Sequence, residues 1–284
     1  MTTSKHLYHL THYEYDRAVQ LSPHVVRLKP SKDCRTPITN YHLNIQPIPH
    51  SLNWLTDFYG NDVAQFDLGS KTESLIVEVQ FSAAIDQYQT HENWPSPDLD
   101  IASWHHWHAS AFNLSPYLGV ENVTPLLGEF LNQWQSQRAV YLEDLQEINQ
   151  GVYKAIRYVV REEAGVQTPE QTLAEGSGSC RDSAWLLIHV LRHQGIAARF
   201  VSGYLLEDTQ ANEHQEMPRT NDLHAWCEVH IPEMGWVGLD PTSGQFTGAH
   251  HIPVAYAPEP MGAAPIFGYL DECQATLQHT IKLT

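Results

Sequence analysis

Cysteine is scarce in this chain, with Cys34, Cys180, Cys227 and Cys273 the only four in 284 residues. No two stand at CxxC spacing, so a disulfide scaffold is excluded, and a cysteine that matters here matters as a thiol. Basic residues are few as well. Against 33 Asp+Glu there are 16 Lys+Arg, which leaves −17. Such a charge repels nucleic acid and anionic membrane surfaces, so neither is expected as a partner. The 18 His residues could lift that charge just below neutral pH, because an unperturbed histidine titrates near ~6.5. No stretch approaches the ~18 apolar residues of a membrane helix. The opening Met1-Thr2-Thr3-Ser4-Lys5-His6 leads into no apolar run of a secretory signal. Together with the sparse cysteines, this points to a reducing compartment, the cytoplasm. Aromatic residues are not lacking: 8 Trp, 13 Tyr and 8 Phe exclude wholesale disorder. The length allows one large domain or two modest ones, each with its own core.

The hydrophobic pattern divides the chain into a strand-rich N-terminal region, residues 1–95, and a mixed region, residues 96–284. Leu75, Val77, Val79 and Phe81 alternate with Ile76, Glu78 and Gln80, and Tyr41, Leu43 and Ile45 with His42, Asn44 and Gln46. Both runs have the period of two of a half-buried strand. Gly60-Asn61-Asp62 reads as a hairpin turn. The composition shifts at Asn93-Trp94-Pro95-Ser96-Pro97, a linker. Helices are expected over Pro125–Gln137 and Val140–Arg161, the second from Leu145, Ile148, Val152, Ile156 and Val159. A third, apolar on most sides and therefore buried, follows Cys180 and stops at Gly195. Ile196–Leu206, His224–Ile231 and Gly235–Asp240 read as strands, with Glu207–Asp222 a polar loop. The fold class is thus α+β.

Chemistry concentrates in the second region. Cys180 follows the small-residue loop Gly176-Ser177-Gly178-Ser179 and opens the buried helix. Helix N-termini present unpaired N–H groups and a partial positive charge, which favour the nucleophilic thiolate. His224 opens one strand, and Asp240 closes the next. A thiol acyl-transfer enzyme needs a base beside the sulfur and a third group to orient that base. The order Cys180, His224, Asp240 supplies all three.

Four runs then carry a resemblance. Gly178-Ser179-Cys180-Arg181-Asp182, Gly195 through Tyr204, His224-Ala225-Trp226-Cys227-Glu228-Val229 and Gly235 through Thr242 occur in order and at matching spacing. They resemble the bacterial transglutaminase-like superfamily, and the strand-rich start resembles the N-terminal region that precedes its catalytic core. The resemblance implies a papain-like thiol fold, with Cys180, His224 and Asp240 as catalytic triad, no cofactor and no metal. It implies a peptide or protein substrate, and a cysteine peptidase or amidase rather than a protein cross-linker. A protein-glutamine amine transferase and a non-catalytic binding module on the same fold are the alternatives.

Other candidates are weaker. Cys227 alternates onto the face opposite His224 and reads as core. Cys34 and Cys273 have no comparable histidine. Trp104-His105-His106-Trp107-His108 could supply imidazole ligands for metal-assisted hydrolysis. Adjacent histidines do not share a helix face, however, so a packed or cleft-rim aromatic segment is the reading, for His250-His251 too. Asp182 either complements the helix dipole or binds a substrate amine, the first being favoured. The Cys180 N–H is the natural first oxyanion donor. Gln150, Tyr153 and Trp226 are candidates for the second.

The triad also predicts a register. A three-residue turn, Pro232-Glu233-Met234, sets Ile231 opposite Gly235 and Asp240 opposite Trp226. His224 then lies on the Asp240 face, and Cys227, Val229, Val237 and Leu239 on the other. A turn one residue longer would throw His224 and Asp240 to opposite faces.

Overall fold

The computed structural model describes residues 2–86, 114–134, 142–161, 163–206, 222–232 and 234–284. The linker at Asn93–Pro97, the Trp104–His108 segment and most of the polar loop after Glu207 lie outside these residues. The architecture is α+β with mainly antiparallel sheets, as the patterning requires.

The N-terminal strands are β1 (Thr2–Val19), β2 (His24–Val26), β3 (Ile38–Gln46), β4 (Ser51–Thr56), β5 (Asp62–Asp67) and β6 (Thr72–Asp86). The alternation of Leu75 to Phe81 is real: Leu75, Val77, Val79 and Phe81 are all buried. The hairpin turn between β4 and β5 is closed by Asp57, whose Oδ1 accepts from the Tyr59 and Asn61 N–H groups. These strands do not form closed sheets by themselves. β15 (Ala275–Leu283) pairs with β1 to give the order β15-β1-β6-β3, and β14 (Ile266–Phe267) pairs with β2 to give β14-β2-β5-β4. The end of the chain therefore returns to the sheets of its beginning.

A third sheet has the order β12-β11-β10-β9-β13, from β9 (Ala198–Leu205), β10 (Asp222–Ile231), β11 (Gly235–Asp240), β12 (Gln245–Phe246) and β13 (His251–Ala257). The helix Cys180–His193 packs on it. Its Ala184, Leu186, Leu187, Ile188, Val190 and Leu191 are fully buried against Cys227, Val229, Val237 and Leu239. Each such leucine contributes about 1.5–3 kcal/mol relative to exposure. Gly195, at φ +79°, turns the chain out of that helix.

Two local differences from the sequence reading bear on the site. The helix expected over Val140–Arg161 spans Leu142–Ala155. Beyond it, Arg157–Tyr158 (β7) runs parallel to Ser177–Gly178 (β8), the loop before Cys180. Pairing with that loop wins over helix continuation in a stretch rich in β-branched and aromatic residues. The other is a short helix, Pro169–Glu175, whose start is fixed by a capping box between Thr168 and Gln171.

Two buried histidines make the fold acid-sensitive. His9, between the first sheet and the third, has Nδ1 2.8 Å from the Tyr204 hydroxyl. His189 lies inside the Cys180 helix, edge-on to Trp185, with neither ring nitrogen partnered among the described residues. Burial, with nearby His279 adding for His9 and Arg192 for His189, pulls both down to about 4. The unfolded chain, with histidines near ~6.5, then binds protons that the folded state refuses. Stability should fall as pH drops from about 6.5 toward about 4, by up to ~3 kcal/mol per histidine. Tm followed by circular dichroism should drop steadily from pH 7 to pH 4.5. A flat profile over that range would refute the effect.

Candidate active site

Cys180 is the first residue of its helix, after Ser179 in extended backbone. The loop that presents it is clamped by Asp182, one turn in. That carboxylate is fully enclosed and accepts from Ser179 N–H (2.8 Å) and Oγ (2.7 Å) and from Gln167 N–H (2.7 Å). It also accepts two bonds from Arg161, at 2.9 and 3.1 Å. Burial opposes its charge, but Arg161 and the other donors outweigh burial and hold Asp182 below the usual carboxylate range. Asp182 thus locks the loop, and it has no face left for a substrate amine. Arg181 donates to the Arg161 and Glu163 carbonyls and tightens the same loop.

His224 and Asp240 meet as the register requires. β10 and β11 pair as Ile231↔Gly235, Val229↔Val237 and Cys227↔Leu239, the three-residue-turn alignment. His224 Nε2 lies 3.0 Å from Asp240 Oδ2. Cys180, at the start of its helix, is close enough to the same ring to favour its charged form. With Nε2 facing the carboxylate, Nδ1 is the nitrogen left for the thiol. Burial disfavours charge on His224, yet Asp240 and then Cys180 outweigh it and hold the ring well above the usual histidine range. Asp240 is itself buried, which alone would raise it. The two histidines on its carboxylate reverse that and keep it well below the usual range.

The second of those histidines is His251. Its Nε2 is 3.2 Å from the same Oδ2, while Oδ1 accepts from Thr242 N–H (2.9 Å) and Oγ (2.8 Å). The sequence reading of His250-His251 as a packed or cleft-rim pair left out the bond that His251 makes to Asp240. Its position, opening the run Ile252-Pro253-Val254-Ala255-Tyr256 just after Asp240, was the available signal. His250 is instead bonded to the Leu206 carbonyl.

The ligand atoms of His224, Asp240 and His251 all lie within 4.8 Å of one another. The spacing would suit a cation, but the donor set reads as hydrogen bonds. His251 Nδ1 accepts from Gly248 N–H at 3.2 Å, so Nε2 carries the ring proton and directs it at the carboxylate.

Among the proposed oxyanion donors, Trp226 is buried and its Nε1 has no partner among the described residues. Its ring lies edge-on to His251, 5.3 Å between centroids. Tyr153 is 47% exposed. A Cβ at Gly203 would run into the Trp226 ring and the Ile252 carbonyl, so this glycine lets the sheet close around the indole. Sequence reasoning missed Tyr158, which pairs with Gly178. Burial first, and then the charges of Cys180, Asp222 and Asp240, push its phenol up to about 12. Cys34 and Cys227 are shielded, burial raising the first to about 11 and the second well above the usual thiol range.

Residues 6–84 match the bacterial transglutaminase-like N-terminal region, and residues 130–241 match the transglutaminase-like superfamily. An uncharacterised protein of Mycobacterium tuberculosis is 24% identical over 93% of this chain and 88% of its own length. A protein-glutamine gamma-glutamyltransferase of Pseudomonas aeruginosa is 39% identical over 66 residues, 23% of this chain and 10% of that protein. The solved structure of a candidate cysteine protease from Cytophaga hutchinsonii superposes with a TM-score of 0.68 at 17% identity, covering 100% of this chain and 91% of that one.

Proposed function

We propose that this chain, whose residues 6–84 and 130–241 match the bacterial transglutaminase-like N-terminal region and the transglutaminase-like superfamily, is a thiol-dependent acyl-transfer enzyme acting on peptide or carboxamide bonds. The observation that carries this reading is the His224–Asp240 pair, 3.0 Å from Nε2 to Oδ2, with Cys180 close enough to the ring to favour its charge. Cys180 sulfur, its proton already held by His224 Nδ1, attacks the carbonyl carbon. The C–N bond then breaks, and His224 returns that proton to the leaving amine. Water attacks the thioester in the second half, giving a carboxylic acid and the free thiol. Asp240 keeps the Nε2–H tautomer throughout and stabilises the imidazolium. Hydrolysis is the preferred outcome, with a peptide or protein substrate. Four cysteines in 284 residues, with no two at CxxC spacing, support a reducing compartment such as the cytoplasm.

The short match to a gamma-glutamyltransferase favours one second reading, with a primary amine in place of water. Intact-mass analysis during incubation with glutamine-containing and amidated peptides, with and without added primary amine, separates the two. The expected result is an acyl adduct on Cys180 that decays to acid even when amine is present. Decay mainly to the substituted amide would make the protein a transferase. Turnover with no adduct on Cys180, and sensitivity to a chelator, would overturn the thiol mechanism.

A further inference from the structure

His251 reaches the site from β13, which stands at the opposite edge of the sheet order from β11. The connection through residues 241–250 crosses the sheet end where Asp240 closes β11 and His224 lies near the start of β10. Two imidazoles, from β10 and β13, therefore converge on one carboxylate oxygen at the end of β11. Oδ2 of Asp240 accepts from His224 Nε2 at 3.0 Å and from His251 Nε2 at 3.2 Å. Oδ1 is already held twice by Thr242. Thr242 alone thus fixes the carboxylate in place, and the His251 bond is not needed to stop it rotating.

We propose that His251 is a positioning residue that acts through Asp240, its Nε2–H competing with His224 for Oδ2 and so moderating how tightly the carboxylate holds the His224 ring. This inference rests on the thiol mechanism proposed above. Its physical basis is charge sharing. A carboxylate oxygen that accepts a second N–H has less negative charge to offer the first. Without His251 the imidazolium of His224 would be stabilised by the full carboxylate and would release its proton less readily to a leaving amine. A neutral donor is required for this role, since an imidazolium at the same place would neutralise Asp240. The structure supplies one: Gly248 N–H points at His251 Nδ1. Burial, together with the neighbouring His224 and His250, keeps the ring below the usual histidine range, although Asp240 pulls the other way. The groups facing His251 are Asp240 from β11, His224 from β10 and His250 beside it in the chain. Trp226 from β10 packs edge-on against it.

The test reads the rate of Cys180 alkylation by iodoacetamide as a function of pH, which needs no known substrate. In the wild-type protein the rate should change above the usual histidine range, where His224 loses its proton, and His224→Ala should delete that step. If the wild type lacks the step, or His224→Ala leaves it in place, the thiol mechanism itself fails, whatever His251 does. With the step established, His251→Phe should move it upward by about half a pH unit or more. His251→Gln, whose amide can donate from the same place, should return it toward the wild-type position. A merely structural histidine would lower Tm in both variants and leave the step where it was. An unmoved or lowered step in His251→Phe overturns the inference. Should that variant fail to fold, ¹⁵N spectra of the histidine rings in the wild-type protein decide the matter. His251 should hold its proton on Nε2 and stay neutral at pH 7, and a ring protonated on both nitrogens there overturns the inference as well.

Discussion

Replacing Cys180 by alanine is expected to abolish acyl-enzyme formation and turnover while leaving the fold intact. Loss of a nucleophile that works as a unit with its base costs on the order of 10⁴-fold or more in rate. The stability cost should stay below ~1 kcal/mol, because alanine is a strong helix former and the position is a helix start. Cys180 is only half-buried, so little packing is lost with the sulfur. The same variant identifies the reactive thiol. Cys227 is enclosed in the core, and burial raises Cys34 to about 11. Cys273 is half-buried away from the helix start, whereas Cys180 opens a helix and acts on the His224 ring. Limited iodoacetamide followed by peptide mapping should therefore label Cys180 first in the folded wild type, and the fast phase should vanish in Cys180→Ala. Labelling of Cys273 ahead of Cys180, or turnover surviving in the variant, would remove Cys180 from the mechanism.

The part of the site carried by local sequence was legible before any coordinates. A loop of small residues followed by an apolar helix puts Cys180 at an N-terminus, and the Cys180–His193 helix begins there. The β10–β11 hairpin was legible for a different reason. Side chains alternate with a period of two, so requiring His224 and Asp240 on one face fixes the parity of the turn, and the pairing Ile231↔Gly235 has that parity. Cys227, Val229, Val237 and Leu239 then fall together on the buried face, and all four are fully buried.

What was not legible depends on contacts between segments distant in sequence. Nothing in Ala275–Leu283 announces that it will pair with β1, whose own strand signal is complete without it. The helix after Leu142 stops at Ala155 because the following residues find a backbone partner in the Ser177–Gly178 loop, some twenty positions on. Periodicity within the segment cannot report that partner. His251 was missed for the same reason. Its role comes from where β13 begins relative to Asp240, and a histidine pair read alone gives only its own chemistry. The capping box at Thr168 and Gln171, by contrast, was a local signal that was simply overlooked.

Asp240→Asn should separate catalysis from stability more sharply than any other single change. The carboxylate has four donors around two oxygens: Thr242 N–H and Oγ–H on Oδ1, His224 and His251 on Oδ2. An asparagine has one acceptor oxygen and one donating NH₂. With the NH₂ toward the histidines, His224 must turn to the Nδ1–H tautomer to offer Nε2 as an acceptor, and Nδ1 can then no longer take the thiol proton. His251 cannot follow, since Gly248 N–H already requires its Nδ1 as acceptor. With the NH₂ toward Thr242, it faces the Thr242 backbone N–H, a donor that cannot rotate away. Either arrangement leaves a buried donor against a donor, which costs about 1–3 kcal/mol of stability. The wrong tautomer, with the charge also gone, costs on the order of 10⁴ in rate, or ~5.5 kcal/mol on the barrier. Catalysis therefore loses more than the fold. Because Asp240 is held below the usual carboxylate range, its contribution is present above an unfolded value of ~3.9 and is lost as pH falls. The variant should accordingly differ most from wild type in Tm near neutrality and converge on it in acid. Rate constants at pH 7, together with Tm at pH 7 and at about pH 2.5, below the unfolded carboxylate value, measure all three expectations. A loss of only a few-fold in rate, or a Tm gap that widens in acid, would detach Asp240 from the orientation of His224.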